Sequence, residues 1–283
     1  MNILTFDIED WWVYEQYNNE DKKKYLPRLN AYLNKILDLL DETGYRATFF
    51  CLGAVANTNP KVIRMISEKK HHIGCHSYNH RFLGHASPEE VAEDTRRALD
   101  TIENITGEKV LAYRAPAFSV MKKNLWIFEI LAENGIKYDS SICPVSRSFG
   151  GFPGFDQKMP SLIKCKGNSI KEFPISTATI LGKEVAYSGG GYFRLFPYWK
   201  IKSIIKESEY VMTYFHIYNF DNDQERHLRS FQGESALVRY FKNYYGLNGA
   251  FAKFTKLIHD FDFVSIDQAD NRIDWNIAPQ VSI

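Results

Sequence analysis

Two histidines stand four residues apart in the segment GCHSYNH, at positions 76 and 80. An H-x3-H spacing puts both imidazoles on one side of a helical turn, where they can share one divalent cation. The spacing alone fits two surface histidines at the start of a loop about equally well. Acids at Asp7, Glu9 and Asp10 change the balance. Two histidines and one carboxylate complete the three-ligand open site typical of hydrolytic zinc, and a second carboxylate is then free as a base.

Three more ionisable residues stand where later predicted strands end, namely Arg114, Asp139 and His216. The carboxyl ends of parallel strands form the edge on which α/β barrels build their active sites. Each residue also has a simpler interpretation. Arg114 fits an ordinary ion pair, Asp139 fits a turn or a helix cap, and His216 fits a buried core histidine. Their shared position at strand ends favours one common site.

The elements that must position these residues follow from the hydrophobic pattern. Strand and helix patterns alternate from residue 2 to residue 138, loops rich in Gly, Pro and Ser follow, and periodicity returns near residue 197. The predicted strands are 2–8, 46–52, 72–75, 110–113, 136–138, 171–174, 179–181, 211–216 and 263–266, and the predicted helices are 26–40, 60–66, 87–107, 123–134, 197–206 and others within 234–261. This alternation predicts an α/β fold with a parallel barrel or a doubly wound sheet.

Local signals define one helix and the domain count. Ser87, Pro88 and Glu90 form a capping box with a first-turn proline, and Gly107 marks the end of the helix that they open. No linker, low-complexity tract or internal repeat interrupts the sequence. We therefore predict one domain over residues 1–283, with the candidate site residues in 1–220 and further helices and a last strand in 221–283.

Composition excludes several classes of protein. The 283 residues are 45% hydrophobic and 24% charged with a formal net charge of +1, which argues against disorder and against recruitment of nucleic acid or an anionic membrane. No apolar run is long enough for an ordinary transmembrane helix. Four cysteines without a CxxC pair argue against a zinc knuckle or a disulfide framework, and the first residues carry no secretory signal. These observations predict a cytoplasmic protein with free thiols.

Five segments, in order, resemble the motifs of the polysaccharide deacetylases of the NodB-homology type. They are TFDIED at 5–10, HSYNH at 76–80, YRAP at 113–116, YDSS at 138–141 and YFH at 214–216. The resemblance implies a distorted (β/α)7 barrel and metal-dependent removal of N-acetyl or O-acetyl groups from sugars. The segment GGGYFRLFP at 189–197, with the helical tail beyond it, resembles a bacterial subgroup linked to exopolysaccharide and surface-glycan biosynthesis.

The resemblance also implies roles for the matching residues. Asp7 would be the general base, a following acid would bind the metal with the two histidines, Arg114 would hold the base, and His216 would be the charged catalytic acid. Asp139 would pair with Arg114 or His216 and hold either in place. The implied cofactor is Zn²⁺ or another divalent metal such as Co²⁺, Mn²⁺ or Ni²⁺.

Two departures from the family pattern affect these roles. Ile8 follows Asp7 where many members have adjacent aspartates, so that both Glu9 and Asp10 are available as the metal carboxylate. Strand alternation places Asp7 and Glu9 on one face, and Asp10 turns inward if the strand ends at Glu9. We favour Asp10 slightly, because a short carboxylate at a strand exit needs little extra entropy to be fixed. Ala117 stands where many relatives carry tyrosine, which leaves its backbone N–H as an oxyanion donor.

Substrate contacts are predicted at Trp11, Tyr192 and Arg194, of which the last two follow the glycines at 189–191. Trp11 and its neighbour Trp12 fit either a sugar groove or a cap on the barrel, and a glycine-rich turn is often only a structural device. Three functions follow. The leading one is a deacetylase of N-acetylated carbohydrate, and the others are an amidohydrolase acting on a non-sugar C–N bond and an inactive glycan-binding barrel. The sequence specifies no oligomeric state.

Overall fold

Strands and helices alternate through most of the chain, as the hydrophobic pattern predicts. The computed structural model describes residues 1–9, 19–147, 150–228, 230 and 235–283, and the side chains of these residues except 19–27. The strands are β1 Asn2–Ile3, β2 Thr5–Ile8, β3 Thr48–Cys51, β4 His72–Cys75, β5 Ala112–Tyr113, β6 Tyr138–Asp139, β7 Ser161–Cys165, β8 Asn168–Glu172, β9 Ala178–Ile180, β10 Lys183–Val185, β11 Val211–Met212, β12 Phe215–His216 and β13 Gln280–Ser282.

The helices lie mostly between these strands. They are α1 Asn19–Thr43, α2 Gly53–Thr58, α3 Pro60–Glu68, α4 Pro88–Thr106, α5 Ile127–Glu133, α6 Gly190–Leu195, α7 Tyr198–Glu207, α8 Ala236–Tyr244, α9 Ala250–Asp260 and α10 Ile266–Asp270. The predicted capping box is confirmed at α4, where Ser87 accepts from the Glu90 N–H and the Glu90 carboxylate accepts from the Ser87 N–H. Gly107 ends this helix with φ of 73°, which favours glycine.

Seven parallel strands form the frame of the predicted (β/α)7 barrel. In the described sheet they follow the order β12, β2, β3, β4, β5, β6 and β8, and every neighbouring pair is parallel. Their carboxyl ends therefore meet at one edge. β7 pairs antiparallel with β8, and β13 pairs parallel with β7, so the complete sheet is mixed.

Side chains bridge the remaining gap of the barrel, between the chain after β8 and β11. Ser176 Oγ accepts from the Met212 N–H at 2.8 Å, and Ser188 Oγ donates to the Met212 carbonyl at 2.7 Å. One bridge pairs Gly189 with Tyr214. A Cβ at Gly189 would lie 1.8 Å from the Tyr214 carbonyl oxygen, so this position requires glycine. The barrel is distorted here because side-chain hydrogen bonds replace a strand ladder.

One predicted strand near the end of the chain is wrong. Residues 263–266 form only one parallel bridge, Ile3 with Val264, and the chain then enters α10 at Ile266. The strands at Ser161–Cys165 and Gln280–Ser282 were not predicted, because both are short and lie at the antiparallel edge, outside the strand-helix alternation. All four cysteines are buried and free, as predicted. None of the helices in the described ranges combines the length and the apolar character that crossing a membrane requires.

We predict that Ser176→Ala lowers the free energy of unfolding by about 1–3 kcal/mol, because it leaves the buried Met212 N–H without an acceptor. Urea denaturation measures the effect. The matched control is Ser161→Ala, since Ser161 is equally buried and its hydroxyl has no hydrogen-bond partner. Equal stability of the two variants would show that Ser176 does not hold the barrel closed.

Candidate active site

A cluster of one carboxylate and two imidazoles lies at the carboxyl edge of the barrel. Glu9 follows β2 directly, and His76 follows β4. Glu9 Oε2 lies 2.7 Å from His80 Nε2 and 3.6 Å from His76 Nε2. Among the described residues, one ligand atom from each of these three side chains lies within 4.8 Å of the other two. This geometry suits a shared metal ion.

The donor atoms of the cluster fit a divalent metal. His76 Nδ1 lies 2.8 Å from the Arg114 carbonyl oxygen, which leaves Nε2 directed at the cluster. Glu9 Oε2 is buried and faces the Nε2 atoms of both histidines. Asp10, favoured above as the metal carboxylate, lies outside the described residues. The carboxylate that the structure places beside both histidines is that of Glu9.

Charge in the cluster supports the same assignment. Burial of the Glu9 carboxyl raises its pKa, but the neighbouring imidazoles of His80, His216 and His76 together outweigh burial and hold that pKa well below its usual value. Burial likewise lowers the pKa of His76, and the carboxylates of Asp7 and Glu9 outweigh it and raise that pKa. A buried carboxylate that stays ionised is a good ligand for a hard or borderline cation.

The histidine segment is a loop and not the predicted helical turn. Residues 76–80 follow β4 without helical structure, and Ser77 and His80 have φ of 66° and 55°. The loop is held by Asp94 of α4, whose carboxylate accepts from the backbone N–H groups of Tyr78 at 2.6 Å and Asn79 at 3.2 Å. Such left-handed backbone at non-glycine residues is often found at functional sites. Helix α4 therefore fixes the position of His80.

A buried ion pair lies beside the cluster. Arg114 Nη1 donates to Asp7 Oδ1 at 2.7 Å, and both side chains are almost completely buried. The same guanidinium donates to the Ser140 carbonyl at 3.1 Å and to Ser140 Oγ at 3.0 Å, and it lies 4.2 Å from the ring centroid of Phe50. Asp7 is thus held in one orientation by a cation that is itself fixed on three sides.

His216 completes the group of ionisable side chains. Its Nε2 lies 3.3 Å from Glu9 Oε1 and 3.7 Å from Asp7 Oδ2. The ring stacks on Tyr218 with centroids 5.0 Å apart, and the Tyr218 hydroxyl donates to Glu9 Oε1 at 3.2 Å. Burial lowers the pKa of His216, although Glu9 and Asp7 oppose this. The role of His216 as the charged catalytic acid stays a prediction.

Comparisons with known proteins agree with this arrangement. Residues 3–138 match the family model described as Polysaccharide deacetylase, and residues 140–271 match a Domain of unknown function (DUF3473). The N-terminal half of this chain belongs to the polysaccharide deacetylase family. The recognition made from the five motifs is confirmed.

Curated relatives match parts of this chain. The peptidoglycan-N-acetylmuramic acid deacetylase PdaA of Bacillus subtilis is 28% identical over 120 residues, which cover 41% of this chain and 46% of that protein. A peptidoglycan-N-acetylglucosamine deacetylase of Bacillus cereus is 29% identical over 96 residues, which cover 34% and 35%. The matches to the first relatives cover between 32% and 46% of their length.

A solved structure supports the fold along nearly the whole chain. A Mycobacterium smegmatis protein assigned to the polysaccharide deacetylases superposes with a TM-score of 0.64 at 18% identity, covering 99% of this chain and 92% of that one. At this identity the likeness shows the fold alone. The predicted (β/α)7 barrel of the deacetylase family is confirmed.

Asp139 forms hydrogen bonds with Ser141 and not with the predicted partners Arg114 and His216. Its carboxylate accepts from the Ser141 N–H at 3.0 Å and from Ser141 Oγ at 2.7 Å, and Ser141 Oγ accepts from the Ala115 N–H at 2.8 Å. Direct pairing of Asp139 with Arg114 or His216 is therefore not found in the described contacts. The strand register sets Asp139 beside Tyr113, and the hydrogen-bonded route from Asp139 to Arg114 runs through Ser141 and Ser140.

The predicted substrate residues have different surroundings. Ala117 lies in the turn after β5 with φ of 53°, and its N–H as an oxyanion donor stays a prediction. Tyr192 is 39% exposed and stacks on Phe196. Trp11 lies outside the described residues. Tyr192 and Trp11 as sugar contacts stay predictions.

Arg194 is not available to a substrate, which corrects the prediction. The residue is buried, and its guanidinium donates to the carbonyls of Tyr245, Lys242 and Asn243 at 3.1, 2.6 and 3.0 Å. These carbonyls end α8, where a cation is favourable because the last carbonyls of a helix have no partner within it. Arg194 holds α8 against α6.

Sequence reasoning missed several contributors to the site: Asp94, Ser140, Tyr218 and Glu172. Asp94 and Tyr218 carry no local signal, because an acid on an amphipathic helix and a tyrosine near a strand end are both common. Ser140 lies within the YDSS motif, and Glu172 is an acid within the predicted strand 171–174, next to the apolar run FPI. A lone buried acid needs a partner, which is itself a reason to look for one.

We predict that Asp94→Ala weakens divalent-metal affinity by about tenfold or more, because two backbone N–H groups of the loop that carries His80 lose their carboxylate acceptor. Isothermal titration of the apoprotein with Zn²⁺ measures this. Glu93→Ala is the control, since Glu93 is an exposed neighbour on the same helix. Identical affinities for the two variants would mean that α4 does not fix His80.

Proposed function

We propose that this protein is a metal-dependent hydrolase that removes acetyl groups, chiefly N-acetyl groups, from sugars of a bacterial surface glycan or its precursor. One observation carries the proposal. A Glu–His–His cluster suited to a metal lies beside a buried Asp7–Arg114 pair, and the imidazole of His216 lies within 3.7 Å of carboxylates of both groups. Metal ligands, a base and a proton donor are the parts that amide hydrolysis requires.

Glu9, His76 and His80 would hold the metal, which we take to be Zn²⁺ or another divalent ion such as Co²⁺, Mn²⁺ or Ni²⁺. A bound ion of this kind polarises a carbonyl and lowers the pKa of bound water to about 7. Two imidazoles and one carboxylate are the ligand set of open hydrolytic zinc sites, which keep a coordination position for water. The donor set therefore supports zinc first.

The remaining residues of the site would move protons. Asp7, fixed by Arg114, accepts the proton of the attacking water. His216 Nε2 lies 3.7 Å from Asp7 Oδ2, so its imidazolium is placed to protonate the leaving nitrogen. The N–H of Ala117 would donate to the developing oxyanion, and losing such a donor typically costs on the order of 10²–10³ in rate. Asp139 supports Arg114 indirectly.

The substrate proposal rests on the relatives and on the family. PdaA acts, by its name, on N-acetylmuramic acid of peptidoglycan, and the B. cereus protein on its N-acetylglucosamine. Both are sugars of a cell-surface glycan, which supports an N-acetylated carbohydrate as substrate here. We propose the cytoplasm as the compartment, supported by four free buried cysteines, and there the enzyme would meet a lipid-linked or nucleotide-linked precursor.

An amidohydrolase acting on a non-sugar C–N bond would use the same side chains, and the test below separates it by substrate. An inactive glycan-binding barrel is disfavoured by the site itself. A binding protein has no need of a buried ionised Glu9 between two histidines and an Asp7–Arg114 pair at the same edge.

We predict that Glu9→Gln loses stoichiometric metal, because a neutral amide replaces the only described carboxylate that contacts both His76 and His80. Asp10→Asn, the matched neighbour, should keep it. Metal content of both purified variants by plasma mass spectrometry checks this. Retention by Glu9→Gln together with loss by Asp10→Asn would assign the ligand to Asp10.

The decisive test of the function is acetate release from a panel of substrates: N-acetylglucosamine oligomers, nucleotide-linked and lipid-linked N-acetyl sugars, muropeptides and simple non-sugar acetamides. The wild-type protein should release acetate from at least one N-acetylated sugar. Asp7→Asn should keep its metal and lose turnover by about 10²-fold or more, because the base is gone while the metal cluster remains. Release from the non-sugar amides alone would support the amidohydrolase, and no release from any substrate would reject both.

A further inference from the structure

A second buried acid lies beside Asp139. Glu172 ends β8, and the register of the parallel pair β6–β8 sets it directly opposite Asp139. Residues opposite each other on neighbouring strands point to the same face of the sheet. Both side chains are 0% exposed. Two carboxyl groups therefore lie side by side in the protein interior, beneath the loop that follows β6.

The hydrogen bonds of the two carboxyls are complementary. Asp139 uses both oxygens as acceptors, from the Ser141 N–H and from Ser141 Oγ. Glu172 Oε1 accepts from the Ile142 N–H at 3.1 Å, whereas Glu172 Oε2 is buried without a conventional hydrogen-bond partner. A proton on Glu172 Oε2 gives this atom a hydrogen-bond partner, because a protonated oxygen donates to the neighbouring Asp139 carboxylate.

Electrostatics favours the same arrangement. Two adjacent buried anions repel each other, and burial itself disfavours the charged form. Burial raises the pKa of the Glu172 carboxyl well above its usual value, and the charge of Asp139 raises it further. Burial also raises the pKa of Asp139, while hydrogen bonds from Glu172 and Ser141 oppose that rise. Glu172 is thus the member that holds the proton, and the pair carries one negative charge.

One short segment, residues 140–142, connects the two acids to Arg114. The Ser141 N–H donates to the Asp139 carboxyl, and the Ile142 N–H donates to the Glu172 carboxyl. The preceding Ser140 accepts from Arg114 through both its carbonyl and its hydroxyl, and Ser141 Oγ accepts from the Ala115 N–H. The segment 140–142 therefore binds the two acids through the N–H groups of Ser141 and Ile142, and it binds Arg114 through Ser140.

We propose that Glu172 and Asp139 share one proton and together anchor the segment 140–142, so that Arg114 keeps the orientation in which it holds Asp7. Glu172 is then a positioning residue, which acts on the base through Ser140 and Arg114 and touches neither metal nor substrate. As regards catalysis, this inference rests on the proposed deacetylase function.

The first experiment compares Glu172→Ala with Glu172→Gln. Glu172→Ala should lower kcat by about tenfold or more with KM within about threefold and metal content unchanged, because misplacing a catalytic group slows the reaction without removing binding contacts. Glu172→Gln should recover most of kcat, since its amide N–H can donate to Asp139 as the protonated carboxyl does. Ile163→Ala in β7 is the control for lost stability, because Ile163 is equally buried and pairs with Ile170, away from Arg114. It should keep kcat.

Two outcomes of this comparison would overturn the inference. One is a kcat for Glu172→Ala equal to that of the Ile163→Ala control. The other is a Glu172→Gln variant as slow as Glu172→Ala, which would mean that Glu172 acts as an anion. Absence of acetate release from the wild-type protein would instead reject the proposed function, and a second experiment tests the inference without any substrate.

That second experiment observes the proton and the arginine directly. The infrared difference spectrum between wild type and Glu172→Gln at neutral pH should contain the C=O band of a protonated carboxyl, which the wild type has and the variant lacks. In ¹⁵N spectra the Arg114 Nε–H, which donates to the Ser140 carbonyl, should exchange with water at least about tenfold faster in Glu172→Ala and at the wild-type rate in Ile163→Ala. A missing carboxyl band, or unchanged exchange in Glu172→Ala, would overturn the proposal even if the alanine variant had folded poorly in the kinetic assay.

Discussion

The ion pair between Arg114 and Asp7 is the interaction on which the rest of the site depends. Both side chains are buried, and removing one partner of such a pair typically costs about 3–5 kcal/mol because the other charge stays unpaired. The residue also acts through its backbone, since the Arg114 carbonyl faces His76 Nδ1 and sets the direction of Nε2. One arginine at the end of β5 thereby orients the candidate base and one candidate metal ligand. Any shift of this strand end disturbs both at once.

The two halves of the chain contribute to a single edge of the barrel. The segment that matches the deacetylase family supplies Glu9, the two histidines and the Asp7–Arg114 pair. The segment that matches the domain of unknown function supplies strands β8 and β12, together with Ser140, His216 and Tyr218 at the site. Since β12 pairs with β2, His216 is held directly beside Asp7. The second segment is therefore part of the barrel wall and of the candidate site.

Several buried acidic side chains lie in this region, and a different set of neighbouring groups stabilises each of them. Glu9 is surrounded by imidazoles and by the Tyr218 hydroxyl. Asp7 is neutralised by a guanidinium that lies on the face of Phe50. Asp139 receives backbone and hydroxyl hydrogens from Ser141. Burial of these acids is tolerable because each of them has a cation or hydrogen-bond donors beside it.

The amino-acid sequence was sufficient to predict the class of fold, the helix caps and the position of candidate residues at strand ends. Those features depend on neighbours within a few residues, as the Ser87–Glu90 capping box and the glycine at 107 illustrate. It also indicated that an acid near position 9 belongs with two histidines, because the residue types alone suit a metal.

The contacts of the remaining side chains depend on how distant parts of the chain pack together. Residues 76–80 form a loop held by Asp94 and not the predicted helical turn. Arg194 binds carbonyls at the end of α8, and Glu172 lies opposite Asp139 on the neighbouring strand. Ser176 and Ser188 close the barrel where no strand ladder forms. The residues joined by these hydrogen bonds are between 15 and 51 positions apart in the sequence. Such contacts arise from the packing of whole strands and helices, and no local pattern of residue types encodes them.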